Sequence, residues 1–294
     1  MTSSHTPSRE EVIEHNLRLH ATTADDYDQI HHYLHNRVEQ SWLWSDLRLL
    51  HAWLQQRVQP PVRYLDLGCG TGNIALKLLS LGGHVVGLDL SRAMLDILAR
   101  KVARAGFQDR FRGVVSSADE ATVLAAHAEL LQPINALCIS SVLHHLYDYG
   151  ASLRQLPQFC PSLRLVYITH EPCARASLAP PRRRQRLYNL GVRQLDVLLS
   201  DLIRLWRPAR GYADDPIADY HAFGQGVDES AVTDVLAAAG FTRALVHRRY
   251  NMRRTTLCSL IDNMWLPSLR NDIFPITMFT LALSREGAAA SKAS

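Results

Sequence analysis

Apolar positions along this chain follow two different rhythms. Within residues 13–58, Val38, Trp42, Leu43, Leu47, Leu50, Trp53 and Leu54 recur near every third or fourth position. Arg37, Gln40, Asp46, Arg48 and Gln55 fill the opposite side. That spacing predicts helix, ended by Pro60-Pro61. Short apolar runs then alternate with helical stretches. Strands are predicted over 62–67, 84–88, 113–116, 134–139 and 163–169, and helices over 73–81, 93–105, 121–131 and 149–159. Strands alternating with helices of this length make βαβ units and a parallel sheet covered on both faces.

The alternation breaks after Thr169. Residues 172–225 predict no strand, only Pro180-Pro181, an arginine cluster (Arg182, Arg183, Arg184, Arg186) and a helix. On that helix Leu187, Leu195, Leu198, Leu202, Leu205 and Trp206 share one face, and Arg193, Asp196, Ser200, Arg204 and Arg207 another. The expectation is a mobile helical lid, packed by its apolar stripe. The pattern resumes with a helix over 229–239 capped by Gly240, a strand over 243–250, an inserted helix over 255–265 and a last strand over 277–284. One domain over 13–285 is expected: a helical cap (13–60), a core (62–171), the lid (172–225) and the rest of the sheet (226–285). The ends, 1–12 and 286–294, are polar or small and expected to fray.

Composition narrows the class. The 294 residues are 47% hydrophobic and 20% charged, which excludes disorder, collagen and coiled coil as descriptions of the whole. No uncharged apolar run reaches about 18 residues, so no membrane span is expected. Residues 1–12 hold Arg9, Glu10 and Glu11 and no apolar stretch, so a cytoplasmic protein is expected. Cys69, Cys138, Cys160, Cys173 and Cys258 are scattered without metal-ligand spacing and read as reduced, structural residues, with no metal. The net charge of +4 is diffuse, and only Lys77, Lys101 and Lys292 are lysines, which argues against a nucleic-acid partner.

The informative segment is Tyr64-Leu65-Asp66-Leu67-Gly68-Cys69-Gly70-Thr71-Gly72-Asn73, an apolar strand turning through three glycines into a helix. Alternate glycines permit positive φ and close approach of a ligand, and the following helix offers free N–H groups. A dinucleotide loop is spaced GxGxxG, whereas this one is GxGxG, with Asp66 just ahead of it. An acid there suits a ligand ammonium better than a pyrophosphate. Asp89 ends the next strand, seventeen residues after Gly72, where a carboxylate can accept from both hydroxyls of a ribose. Met94 is suited to pack on a purine, and Asp119 to accept from its amine or to cap a helix.

These segments resemble the class I S-adenosylmethionine-dependent methyltransferases over roughly residues 62–170, and again near Gly240-Phe241. The resemblance implies a doubly wound, Rossmann-like, seven-stranded sheet, mostly parallel with an antiparallel last strand, and S-adenosyl-L-methionine as cofactor. It implies methionyl contacts around Gly68, Gly70 and Gly72, ribose contacts to Asp89, adenine contacts around Leu90, Ala118 and Asp119, and cofactor contacts at Cys69, Asn73 and Ser140 as well. It also implies that Tyr27-Asp28 closes over the cofactor.

Methyl transfer leaves the catalytic residue hard to read, because a base is needed only where the acceptor must lose a proton. His144, His145 and His170 follow predicted strand ends, and His145 is favoured because the segment after the fourth strand lies nearest the methyl group in proteins of this kind. Ser140-Ser141-Val142-Leu143 replaces the Asn-Pro-Pro-Tyr type of segment used on DNA amino groups. No Pro-Cys nucleophile is placed for cytosine chemistry. The expectation is a small organic acceptor, with oxygen slightly favoured over nitrogen or carbon. The rivals are a protein or RNA methyltransferase and a non-catalytic binding protein.

Overall fold

The computed structural model describes residues 7–117, 125–174, 183–206, 226–250, 252–264 and 278–285. Helix α1 (Arg9–Thr23) starts inside the stretch expected to fray, because Ser8 and Glu11 close a capping box on it. Helices α2 (Tyr27–Ile30) and α3 (Arg37–Gln55) complete the cap. Strand β1 (Arg63–Leu67) leads through the glycine turn to α4 (Ala75–Ser80), and β2 (His84–Asp89) to α5 (Arg92–Arg104). After β3 (Phe111–Val115) come α6 (Ala128–Leu131) and β4 (Ala136–Ser140), then α7 (Tyr149–Phe159) and β5 (Leu165–Pro172). Helix α8 (Arg183–Trp206) precedes α9 (Glu229–Ala238), β6 (Arg243–Tyr250), α10 (Thr256–Met264) and β7 (Met278–Ser284).

The strands form one sheet in the order β3-β2-β1-β4-β5-β7-β6. β1 to β5 pair in parallel, while β7 runs antiparallel to both of its neighbours. Strand alternation divides the core between the two faces. Leu65, Leu67, Ile139 and Ile168 pack with Leu153 and Leu156 of α7 and Val232 and Leu236 of α9. Tyr64, Cys138 and Tyr167 pack with Leu43, Leu47 and Leu50 of α3 and Leu98 of α5. Each fully buried leucine contributes about 1.5–3 kcal/mol. Polar links seal the second face: the Tyr64 hydroxyl meets His51 Nδ1 at 2.6 Å, and Tyr167 donates to Asp46 at 3.1 Å.

Two expectations change. Strand β5 continues past Thr169, and its register against β7 shifts between Ile168 and Glu171. His170 there takes φ +57, so His170 and Glu171 belong to a bulge within the strand. Helix α8 also sits the other way round from the expected lid. Leu190, Leu198 and Leu202 are 55%, 58% and 48% exposed, while Asp196 and Ser200 are buried. The reason is electrostatic. Asp196 accepts from the N–H groups of Arg254 and Thr255 at 2.7 and 2.9 Å and from the Thr255 hydroxyl at 2.7 Å, at the start of α10. A carboxylate that accepts three hydrogen bonds at the entry to α10 holds this face of α8 inward. The expected arginine cluster and the end residues 1–6 and 286–294 lie outside the residues whose side chains are described.

Candidate functional site

The site forms where β1, β2 and β4 end on the same edge of the sheet, at the switch point between the two winding directions. The glycine turn is pinned by the Leu88 carbonyl, which accepts from Gly68 and Cys69 N–H at 2.7 and 3.1 Å. Gly68 has φ +64, and a Cβ there would lie 2.3 Å from the Val142 side chain. Gly70 has φ +49, and a Cβ there would meet no protein atom within 4 Å. The first glycine is needed for packing. The second leaves open space at the wall of a cavity.

Asp89 ties the turn to β2. Its Oδ2 accepts from Gly70 N–H at 2.7 Å and its Oδ1 from Ser91 N–H at 2.8 Å. Burial pushes its carboxyl up to about 6, and these two N–H donors work against that rise. The space at this site, its open mouth included, is about 700 Å³. Gly68, Gly70 and Ser140 line it beside Asp89, and Leu90, Met94, Ser116 and Ser117 line the end beyond β2 and β3. Ile13, Asn16 and His20 of α1, with Tyr27, roof it, and Ser141, Val142, His145 and Leu146 close the end beyond β4.

Tyr27, Gly68, Gly70, Asp89, Leu90, Met94, Ser140 and His145 therefore share one cavity. Ala118 and Asp119 lie outside the described residues. Four other candidates lie off the cavity wall. Cys69 is buried in the core with α4 and α5. Gly72 packs against Leu98. Asn73 receives the Lys77 ammonium at its carbonyl and its side-chain oxygen. Asp66 is buried beneath the turn, where burial raises its carboxyl to about 8 and the Ala75 N–H lowers it. An inward-facing position on β1, on the side packed by α3 and α4, puts Asp66 at the base of the loop, off the cavity wall.

The histidines separate in the same way. His144 Nδ1 meets Glu171 Oε2 at 2.9 Å. Glu171 also accepts from the N–H groups of Val142, Leu143 and His144 at 2.7, 3.0 and 3.3 Å, so it holds the whole turn after β4. The bulge turns His170 away from the cavity, to 3.4 Å from Glu39 on α3 and beside the rings of Tyr33 and Tyr250. His145 alone of the three lines the cavity, and its ring packs 4.1 Å from that of His144 and 5.3 Å from that of His20. Asp28 binds Thr71 of the glycine turn and Lys101 of α5, which fastens α2 to the loop.

Three of the roof residues were missed by sequence reasoning, while Tyr27 was expected. Ile13, Asn16 and His20 are spaced for one face of a helix, and that spacing was a legible signal. Burial and the neighbouring His144 lower the His20 imidazole to about 4.

Residues 65–158 match the family model described as Methyltransferase domain. Those residues thus carry a methyltransferase domain, and the seven-stranded sheet has the fold of class I S-adenosylmethionine-dependent methyltransferases. It is similar over 94% of its length to magnesium protoporphyrin IX methyltransferase from Synechocystis PCC 6803, all of which is covered, at TM-score 0.53 and 17% identity, a likeness of fold. It is 32% identical over 165 residues to the 23S rRNA (uracil(1939)-C(5))-methyltransferase of Cupriavidus pinatubonensis, covering 52% of this chain and 31% of that one. It is 29% identical over 106 residues to the demethylmenaquinone methyltransferase of Symbiobacterium thermophilum, covering 35% and 40%. The chain thus spans well under two thirds of the length of these curated relatives. Among the described residues, no helix is long and apolar enough to cross a membrane.

Proposed function

We propose that this chain transfers a methyl group from S-adenosyl-L-methionine to a small organic acceptor, with an oxygen atom as the favoured site. The observation that carries this reading is a single roofed cavity running from Gly70 and Asp89 to His145. Its described lining includes neither lysine nor arginine, and an RNA-binding face would want both.

The residues present fit the cofactor. Gly70 leaves open space, Asp89 brings a carboxylate to the wall, and the buried Ser116 Oγ has no protein partner. Asp89 would hold the ribose hydroxyls. Leu90, Met94, Ser116 and Ser117 would hold the purine, and Gly68, Gly70 and Ser140 the methionyl part. Bound there, the cofactor supplies a methyl group already attached to a good leaving group. The protein's share is then orientation and exclusion of water. α1 and Tyr27 form the cover on this reading, in place of the expected lid. His145 takes the proton of an acceptor hydroxyl, in a turn made rigid by Glu171. A positioned base of this kind contributes roughly a hundred- to ten-thousand-fold in rate.

The test is incubation of the protein with methyl-labelled cofactor and, in parallel, a metabolite extract and total ribosomal RNA. Label in a small molecule supports the reading. Label in RNA alone replaces it with the macromolecular one, and tight cofactor binding without transfer to either makes the chain a binding protein.

A further inference from the structure

We propose that Asn16 and His20 form the acceptor-recognition edge of the cavity. Together they select an uncharged molecule carrying a hydrogen-bond donor, such as a hydroxyl or an amide N–H. The proposal rests on the methyltransferase reading and deepens it.

The two residues stand one helical turn apart on α1, and both line the cavity. The Asn16 amide is held in place: its Nδ2 donates to the Val12 carbonyl at 2.9 Å and to the His145 carbonyl at 3.2 Å. Two carbonyl partners identify that atom as the nitrogen, so the oxygen is the atom left over. Asn16 Oδ1 is buried and has no protein partner, and His20 Nδ1 is in the same condition. A carboxamide oxygen can only accept. Leaving a buried polar atom unmatched is costly, and buried polar groups are generally matched. Two residues that carry such atoms line one wall of one cavity, and they mark the place where a ligand brings the partner.

Charge follows from the surroundings. The titratable groups facing His20 are Tyr27, and His144 and His145 from the turn after β4. None is a carboxylate, and the low His20 value of about 4 leaves its ring neutral near pH 7. An anion finds no fixed cation at this edge and a cation finds no fixed anion, while a neutral hydroxyl finds both unpaired atoms.

The experiment uses the whole chain saturated with S-adenosylhomocysteine. Phenol, toluene, benzoate and benzylammonium serve as probes, followed by calorimetry and by imidazole resonances of labelled histidine. Phenol is expected to bind at least tenfold more tightly than the other three and to shift the His20 resonance. Asn16→Leu and His20→Phe are each expected to weaken phenol at least tenfold while S-adenosylhomocysteine affinity holds within about twofold. Benzoate or toluene binding as well as phenol overturns the proposal, as does failure of phenol to bind or a His20 resonance that stays still. Failure of S-adenosylhomocysteine itself to bind overturns the methyltransferase reading instead.

Discussion

Two aspartates flank the glycine turn, and burial acts on both with different consequences. Asp89 faces the cavity and keeps two N–H donors. Removing it strips charge-assisted bonds from the ribose end and from the loop. Asp89→Ala is therefore expected to raise the dissociation constant of S-adenosylhomocysteine roughly 30- to 1000-fold, about 2–4 kcal/mol, in calorimetry. An unchanged constant would remove Asp89 from the ribose. Asp66 is a stability matter. Its carboxyl rises from the ordinary 3.8 to about 8 in the fold. Between those values the folded protein holds a proton that the unfolded chain releases, so stability falls as pH rises, by up to about 1.4 kcal/mol per pH unit. His20, lowered to about 4, acts in the opposite sense below pH 6.5. The clean window is thus pH 6.5–8. There the ligand-free protein should lose stability to urea with rising pH, and Asp66→Asn should flatten the slope. Parallel curves for the two proteins would place the titration elsewhere.

At the scale of elements, α8 shows how a few polar bonds override an apolar pattern. Its leucine stripe has the spacing of a buried face, yet Asp196 points inward to the start of α10. The Thr255 hydroxyl that Asp196 holds also accepts from Cys258 N–H, capping α10. Asp196→Ala leaves the two backbone donors without that acceptor, so a loss of roughly 2–4 kcal/mol is expected in chemical unfolding. Asp196→Asn should recover part of it. A loss below about 0.5 kcal/mol would mean that the leucines, rather than the carboxylate, orient α8. The cap helices follow the simpler rule. In α3 the apolar stripe Leu43, Leu47, Leu50 and Leu54 is the buried one, as its period predicts.

Over the whole molecule, the cap is fastened to the sheet at several points, two of them beside the cavity. Asp28 holds Thr71 and Lys101, Asn16 holds the His145 carbonyl, and Asp46 on α3 pairs with Arg248 of β6 at 3.0 Å. Asp28 is the link between the roof and the cofactor loop. Asp28→Ala is expected to speed amide exchange over residues 24–36 at least fivefold and to weaken S-adenosylhomocysteine, with far-ultraviolet dichroism unchanged. Equal exchange in both proteins would show that packing alone holds α2 down. With α1 and α2 as the roof, access to the cavity is governed by the cap, and none of the described residues of α8 lines the cavity.

The sequence by itself determined the alternation of strands and helices, the glycine turn and the acid that ends β2, because each depends on local chemistry. Hydrophobic period decides strand against helix, and glycine takes the positive φ at Gly70 without a Cβ penalty. Tertiary structure alone decided which neighbours share a wall. Asp89 ends β2 at the sheet edge while Asp66 is set two positions deeper in register, so Asp66 fell beneath the loop and Asp89 reached the cavity. A bulge in β5 sent His170 toward α3 and Glu171 under the turn after β4. Packing of α1 against α5 and the His145 turn brought Asn16 and His20 to a cavity whose sheet-edge walls, from Gly68 to Leu146, lie 48 or more residues beyond His20 in sequence. Those outcomes depend on contacts between distant segments, which no local period encodes.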